Sequence, residues 1–223
     1  MVTNLAYYFE TSRKVRGGKF VWVKDSNGED RRNVLLGGTI LNPNKGFGHL
    51  WAAQLMQYTP GQGVYIFRSF ALKANAAASA TELVINGDGF SDVPEVGMLI
   101  MAAPDDATTT GQSAKITNVV YDAANEKFTV TVDTALGALN AGAILVEANG
   151  TAASASAKVL VPKPNIWNEA DRDLLPTEGY GIENANYSAS GVYDKQAWIG
   201  RMQPLPKYVL ANNKSLIDGI YWI

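Results

Sequence analysis

The sequence predicts a mainly β protein: a small antiparallel β-barrel or sandwich module inserted in an irregular β-rich platform with few short helices. Three observations carry that expectation. Between Thr81 and Ala148, short alternating β-branched runs (TELVI, SAKITNVV, KFTVTVD, GAILVEA) are separated by Gly, Asp, Asn and Pro turns. Two Ala/Ser stretches, ANAAASA at 74–80 and TAASASA at 151–157, bracket this block and read as flexible, featureless spacers. The flanks are rich in Gly, Asn and Tyr and hold little clean period. The resulting plan has an N-terminal platform segment at 1–73, the inserted module with its spacers at 74–157, and a C-terminal platform segment with a docking tail at 158–223.

Composition narrows the function classes. With 47% hydrophobic and 18% charged residues, the 223-residue chain belongs with folded proteins rather than disordered ones. It has no cysteine, which excludes disulfides, thiolate metal sites and cysteine nucleophiles. The opening MVTNLAYYFETSRKV lacks a basic stretch followed by an apolar run, so no signal peptide is expected. No apolar run approaches the ~20 residues that span a bilayer as a helix. Synthesis in a cytoplasm, without membrane entry, is the expectation.

Net charge is −2 but unevenly spread. Residues 1–68 hold nine Lys/Arg against four Asp/Glu, a net of +5; residues 69–158 hold four against ten, a net of −6; residues 159–223 hold six against seven. A basic opening joined to an acidic module suggests two faces with different partners, although exposed loops of either sign also serve solubility alone.

Along the chain, residues 1–16 mix Tyr7, Tyr8 and Phe9 with Arg13, Lys14 and Arg16, without a period. KFVWV at 19–23 and NVLLG at 33–37 flank Asn27-Gly28, a turn pair that tolerates positive φ, and predict a hairpin. Residues 37–50 read as a loop and contain His49, the one histidine. Trp51, Leu55 and Tyr58 recur at helical spacing and predict a short helix closed by Pro60-Gly61. VYIFRSFALKA at 64–74 predicts one strand. Within the module, 103–112 reads as an exposed polar loop, and 122–125 as a tight hairpin turn. Thr129, Thr131 and Asp133 should form a wet face opposite buried Val130 and Val132. Residues 168–176 predict a helical turn capped by Asn168 and closed by Pro176. The tail Ile220-Tyr221-Trp222-Ile223 is apolar apart from one phenol, and predicts burial either in its own core or against another chain.

Catalytic and cofactor motifs are not evident. There is no GxSxG elbow, phosphate-binding loop or HExxH pair. His49, between glycines and an apolar run, suits packing better than catalysis. The pairs Asp88/Asp92, Asp105/Asp106 and Asp171/Asp173 meet the residue requirement of a glycosidase. Their turn contexts, however, favour Asp for backbone reasons. NGDGFSD misses the spacing and terminal Glu of a calcium loop. The expected site is therefore a protein interface: the basic cluster Arg13, Lys14, Arg16 and Lys19, suited to an acidic protein surface rather than nucleic acid, and the tail Ile220, Tyr221, Trp222 and Ile223. No catalytic, cofactor or metal residues are assigned.

From about residue 70 to 150 the chain follows a pattern: an Ala-rich lead, T-x-L-x-V, Val96-Gly97-Met98-Leu99-Ile100, Ala114 to Val119, TVTVD with L-G, and Ala141 to Ala148. This resembles the small β domains of capsid accessory proteins of tailed bacteriophages, the head-fibre and auxiliary or decoration proteins of crAss-like and other Bacteroidales phages. The resemblance implies a non-enzymatic structural protein on the outer surface of a virion capsid, assembled in the bacterial cytoplasm. Its implied partners are the major capsid protein or neighbouring virion proteins, and copies of itself on a lattice, with no nucleic acid and no membrane. The alternative is a carbohydrate-binding adhesin module, with Tyr180, Tyr187, Tyr193 and Trp198 available to stack on a host-surface glycan.

Overall fold

A computed structural model describes residues 31–37, 40–43, 49–50, 54–59, 62–88, 92–150, 155–168, 172–173, 186–192, 197–199, 204–212 and 220–222. In chain order the strands are β1 (Arg31–Gly37), β2 (His49–Leu50), β3 (Leu55–Thr59), β4 (Gly63–Ile66), β5 (Ser69–Ala71), β6 (Glu82–Asn86), β7 (Leu99–Ala102) and β8 (Ser113–Asp122). They continue with β9 (Lys127–Val132), β10 (Ile144–Glu147), β11 (Ile166–Asn168), β12 (Arg172–Asp173), β13 (Asn186–Val192), β14 (Ala197–Ile199) and β15 (Ile220–Trp222). Among the described residues one short helix, α1 (Lys207–Asn212), precedes β15. The protein is mainly β, as its patterning predicts.

The chain divides into two compact units, both discontinuous. The first comprises Met1–Phe67, Lys163–Met202 and Leu210–Ile223; the second comprises Arg68–Pro162 and Gln203–Val209.

In the first unit, five strands form a sheet in the order β1-β13-β11-β3-β4, every neighbouring pair antiparallel. β1 and β13 share seven residue pairs, from Arg31↔Val192 to Gly37↔Asn186. The other half of the expected β1 hairpin lies outside the described residues. Beyond β4, Ile40 bridges Val64, and the Leu41 N–H donates to the Val64 carbonyl at 2.8 Å. Part of the expected 37–50 loop is thus sheet-edge cover, and His49 sits in β2, opposite Asp173 of β12.

Three expected elements are corrected here. The helix over 51–58 is instead strand β3 from Leu55. Leu55 and Met56 are both 0% exposed, so adjacent residues are buried on opposite faces. A strand covered on both sides loses the alternation that identifies it. The single strand over 64–74 is two strands in different sheets, β4 and β5. Phe67, Arg68, Ser69 and Phe70 between and within them are consecutively buried. Of the helical turn expected over 168–176, Asn168 instead ends β11, paired with Ala189, and Arg172–Asp173 form β12; the rest of the span lies outside the described residues.

The second unit holds an open six-stranded antiparallel sheet, order β5-β10-β7-β8-β9-β6. β8 is long enough to serve two neighbours. Its start pairs with β7 (Leu99↔Lys115), and its remainder pairs with β9 from Ile116↔Val132 onward. A register shift between Ile116 and Asn118 marks the change of partner, the bend a β-bulge supplies. The edge strands β5 and β6 approach at one bridge, Leu72↔Ile85, beside a Lys73 N–H to Val84 carbonyl bond of 2.8 Å. Phe70, Leu83, Ile85, Ile100, Ile116, Val130 and Leu145 build the core, each 1% exposed or less. β9 alternates as expected, with Phe128, Val130 and Val132 buried and Thr129 and Thr131 half-buried. The expected turn after Asp122 is present, closed by Asp122↔Lys127.

Single residues of the two Ala/Ser stretches are held in place. Ala76 is 8% exposed and exchanges backbone hydrogen bonds with Leu139 at 2.8 and 3.0 Å, while Asn75 Oδ1 accepts the Ala141 N–H at 2.7 Å. Ala157 is 1% exposed and pairs with Gly111. Ala76 and Ala157 look featureless in the sequence because their bonds are made by backbone, which composition does not report; residues 151–154 lie outside the described residues.

Candidate functional site

A buried charged cluster of the second unit centres on Arg68, its first residue. Arg68 follows a run of apolar residues and is 3% exposed. Its Nε donates to Glu147 Oε2 at 2.9 Å and its Nη2 to Oε1 at 2.8 Å, a two-point grip on a carboxylate 3% exposed at the end of β10. Arg68 Nη1 lies 3.7 Å from Glu95 Oε1. Next in the chain, the Ser69 N–H donates to Asp92 Oδ2 at 2.8 Å, and Asp92 is 6% exposed. Burial works against the guanidinium charge, but Glu147, then Glu95 and Asp92, outweigh it and hold the Arg68 pKa above its ordinary value. A planar donor fork is suited to such a pair.

This arrangement accounts for part of the charge asymmetry. Of the ten acids between 69 and 158, Asp92, Glu95 and Glu147 surround an arginine that the sequence counts with the basic opening segment. Part of the module's acidity is therefore internal. No sequence motif contains these residues. The available signal was a lone Arg in YIFRSFAL and a lone Glu in AILVEA, opposite charges in apolar runs that burial forces together.

Of the carboxylates paired in the sequence, Asp92 and Asp106 are put to backbone work. Asp92 serves the Ser69 amide, while Asp88 is half-exposed. Asp106 accepts from the Thr108 N–H and hydroxyl at 2.7 Å each, and those bonds hold its carboxyl below the usual range. Asp105 pairs with Lys207 at 3.1 Å on the surface. Asp171 lies outside the described residues. Among the described residues no group of three or more His, Asp or Glu is placed to hold a metal ion.

Of the expected interface residues, Arg13, Lys14, Arg16, Lys19 and Ile223 lie outside the described residues. Ile220, Tyr221 and Trp222 form β15, which pairs in parallel with β14: Ala197↔Ile220, Trp198↔Tyr221, Ile199↔Trp222. The sequence treated the tail and Trp198 as separate features; the topology sets them side by side in one strand pair. Tyr187 lies instead on β13, opposite Leu36, and Tyr180 and Tyr193 fall outside the described residues. The glycan-stacking candidates are thus spread over two sheets. A parallel pair needs a crossover, here residues 200–219 with α1 inside it, which short-range patterns do not reveal.

No protein-family model matches the chain, and no curated protein is significantly similar to it.

Proposed function

We propose that this protein is a structural component of the outer surface of a tailed-phage capsid, one that binds or decorates the major capsid protein and can anchor a head fibre. The observation that carries the reading is that the resembling stretch lies inside one compact unit. The stretch resembling capsid accessory domains, about 70–150, falls wholly within the Arg68–Pro162 part of the second unit. As the finer form of the fold, we propose a barrel-like curl of this open sheet, supported by the single Leu72–Ile85 bridge between its edge strands β5 and β6. The apolar pair β14/β15 is the proposed docking element, and many copies on a lattice make individually weak contacts sufficient.

Cosedimentation of the full chain with assembled empty capsids tests this. Binding reduced at least tenfold by Tyr221→Ser with Trp222→Ser, in a protein whose unfolding midpoint is unchanged, supports it. A wild-type chain that stays in the supernatant as a stable monomer overturns it and favours the glycan-binding alternative. A truncation after Pro206 is unsuitable because it deletes Tyr208, which is 0% exposed.

A further inference from the structure

The chain contains three Asn-Gly pairs, at 27–28, 86–87 and 149–150. The first lies outside the described residues, and the other two differ in what surrounds the glycine nitrogen. That difference bears on a reaction. A backbone nitrogen can attack the side-chain Cγ of the asparagine before it, and glycine hinders the approach least because it has no Cβ. Asn86 ends β6 opposite Lys127, and the Gly87 N–H donates to the Glu126 carbonyl at 2.8 Å. Gly87 is buried and its nitrogen is engaged. Asn149 is exposed just beyond β10, and among the described residues the Gly150 N–H has no acceptor. The Asn149 side chain meets Lys158 instead: Oδ1 accepts the Lys158 N–H at 3.0 Å, beside an Asn149 N–H to Lys158 carbonyl bond of 2.9 Å. A donor on Oδ1 draws electrons from Cγ and stabilises the oxyanion that attack creates there. Packing also requires this glycine, since a Cβ on Gly150 would sit 2.7 Å from that of Ala157.

We infer that Asn149-Gly150 is a site of self-modification, at which Asn149 loses its side-chain amide. The Gly150 nitrogen bonds to Cγ, the Cγ–Nδ2 bond breaks, and ammonia leaves with the proton given up by the backbone amide. The cyclic imide that results takes up a water. Opening at one carbonyl gives aspartate, and opening at the other gives isoaspartate, whose main chain runs through the former side chain. Isoaspartate lengthens the backbone where Asn149 and Lys158 exchange bonds, next to the Ala148–Val159 bridge and a Leu160 N–H to Glu147 carbonyl bond of 2.8 Å. The pairing of residues 158–160 with the end of β10 is therefore what the reaction undoes. The inference stands independently of the capsid reading.

The test incubates the folded full chain in mildly alkaline buffer, which ionises the attacking amide, beside a urea-unfolded sample, and maps peptides of both by mass spectrometry over time. Asn149 should convert at least tenfold faster than Asn86 in the folded chain, and the two should converge once unfolded, because the protection of Asn86 is structural. An enzyme that methylates isoaspartate should label the Asn149 peptide. Asn149 converting no faster than Asn86 in the folded chain overturns the inference. So does an Asn149 slowed at least tenfold by folding, since Lys158 would then hold the side chain away from Gly150. A gap between the two sites that survives unfolding overturns the structural cause. In the converted protein the Lys158 and Leu160 amides should exchange hydrogen at least tenfold faster than before. Unchanged exchange there overturns the assigned consequence.

Discussion

Arg68 and Glu147 stand 79 positions apart in the sequence and meet in the interior through two hydrogen bonds of 2.9 and 2.8 Å. Removing either partner leaves the other's charge buried, which costs about 3–5 kcal/mol. Arg68→Ala should therefore lower the denaturant midpoint sharply, and Glu147→Ala comparably. The double change Arg68→Met with Glu147→Leu should recover only part of the loss, because Asp92 and Glu95 keep their charge beside the vacated guanidinium. Full recovery would show that the pair acts alone.

A second prediction concerns the sheet edge at β4. Asn42 is 0% exposed; its Nδ2 donates to the Ile66 carbonyl at 2.9 Å, and its Oδ1 accepts the Ile66 N–H at 2.7 Å, as a paired strand would. Asn42→Ala strands both backbone groups and should cost about 2–4 kcal/mol at about 1–3 each. Asn165 makes the same two bonds with Tyr58 in an exposed position, at 2.8 and 3.0 Å, where water can replace it. Asn165→Ala should cost about 1 kcal/mol or less. Equal losses in chemical denaturation would contradict the burial argument.

The β8–β9 turn offers changes of opposite sign. A Cβ on Gly87 would sit 2.8 Å from Tyr121 Cε2 and 3.0 Å from backbone atoms of Glu126 and Lys127, so Gly87→Ala should destabilise by about 1–3 kcal/mol. Glu126 has φ of 46°, a conformation that costs a side-chain-bearing residue roughly 1–2 kcal/mol. Glu126→Gly relieves that strain but loosens the unfolded chain, and should stabilise by up to about 1 kcal/mol. Thermal unfolding of the two variants should bracket the wild type.

Tyr208 predicts an alkaline transition. Burial raises its hydroxyl pKa well above the ordinary ~10. With the folded-state pKa raised, the associated stability is fully present below about pH 10 and is lost as pH rises toward the folded-state value. Tyrosinate absorbance of the wild type should show one phenol ionising only as the 203–209 segment opens. In Tyr208→Phe that component should vanish while the signals of the remaining tyrosines persist. An unchanged titration curve would contradict the burial of this phenol.

The elements legible in the sequence are those whose cause is local. β9 declares itself through the alternation of Phe128, Val130 and Val132 with threonines, and the turn at 122–126 through its Asp and Asn, which bond each other at 2.7 Å. β3 resembles a helix in the sequence because Leu55 and Met56 are buried on both faces, leaving only an accidental helical spacing. The Ala/Ser stretches look like spacers in the sequence because Ala76 and Ala157 are held by backbone bonds to residues far along the chain.

By itself, then, the sequence determined the mainly β character, the segment rich in short strands and its hairpin turn, since side-chain period and turn preference are properties of neighbours. Tertiary structure alone decided that Arg68 finds Glu147, that the tail strand pairs with Ala197–Ile199, and that Tyr208 returns to Val161. Those choices depend on which distant groups share a burial environment, where an unmatched charge or unpaired strand is costly, and no local pattern encodes the identity of the partner.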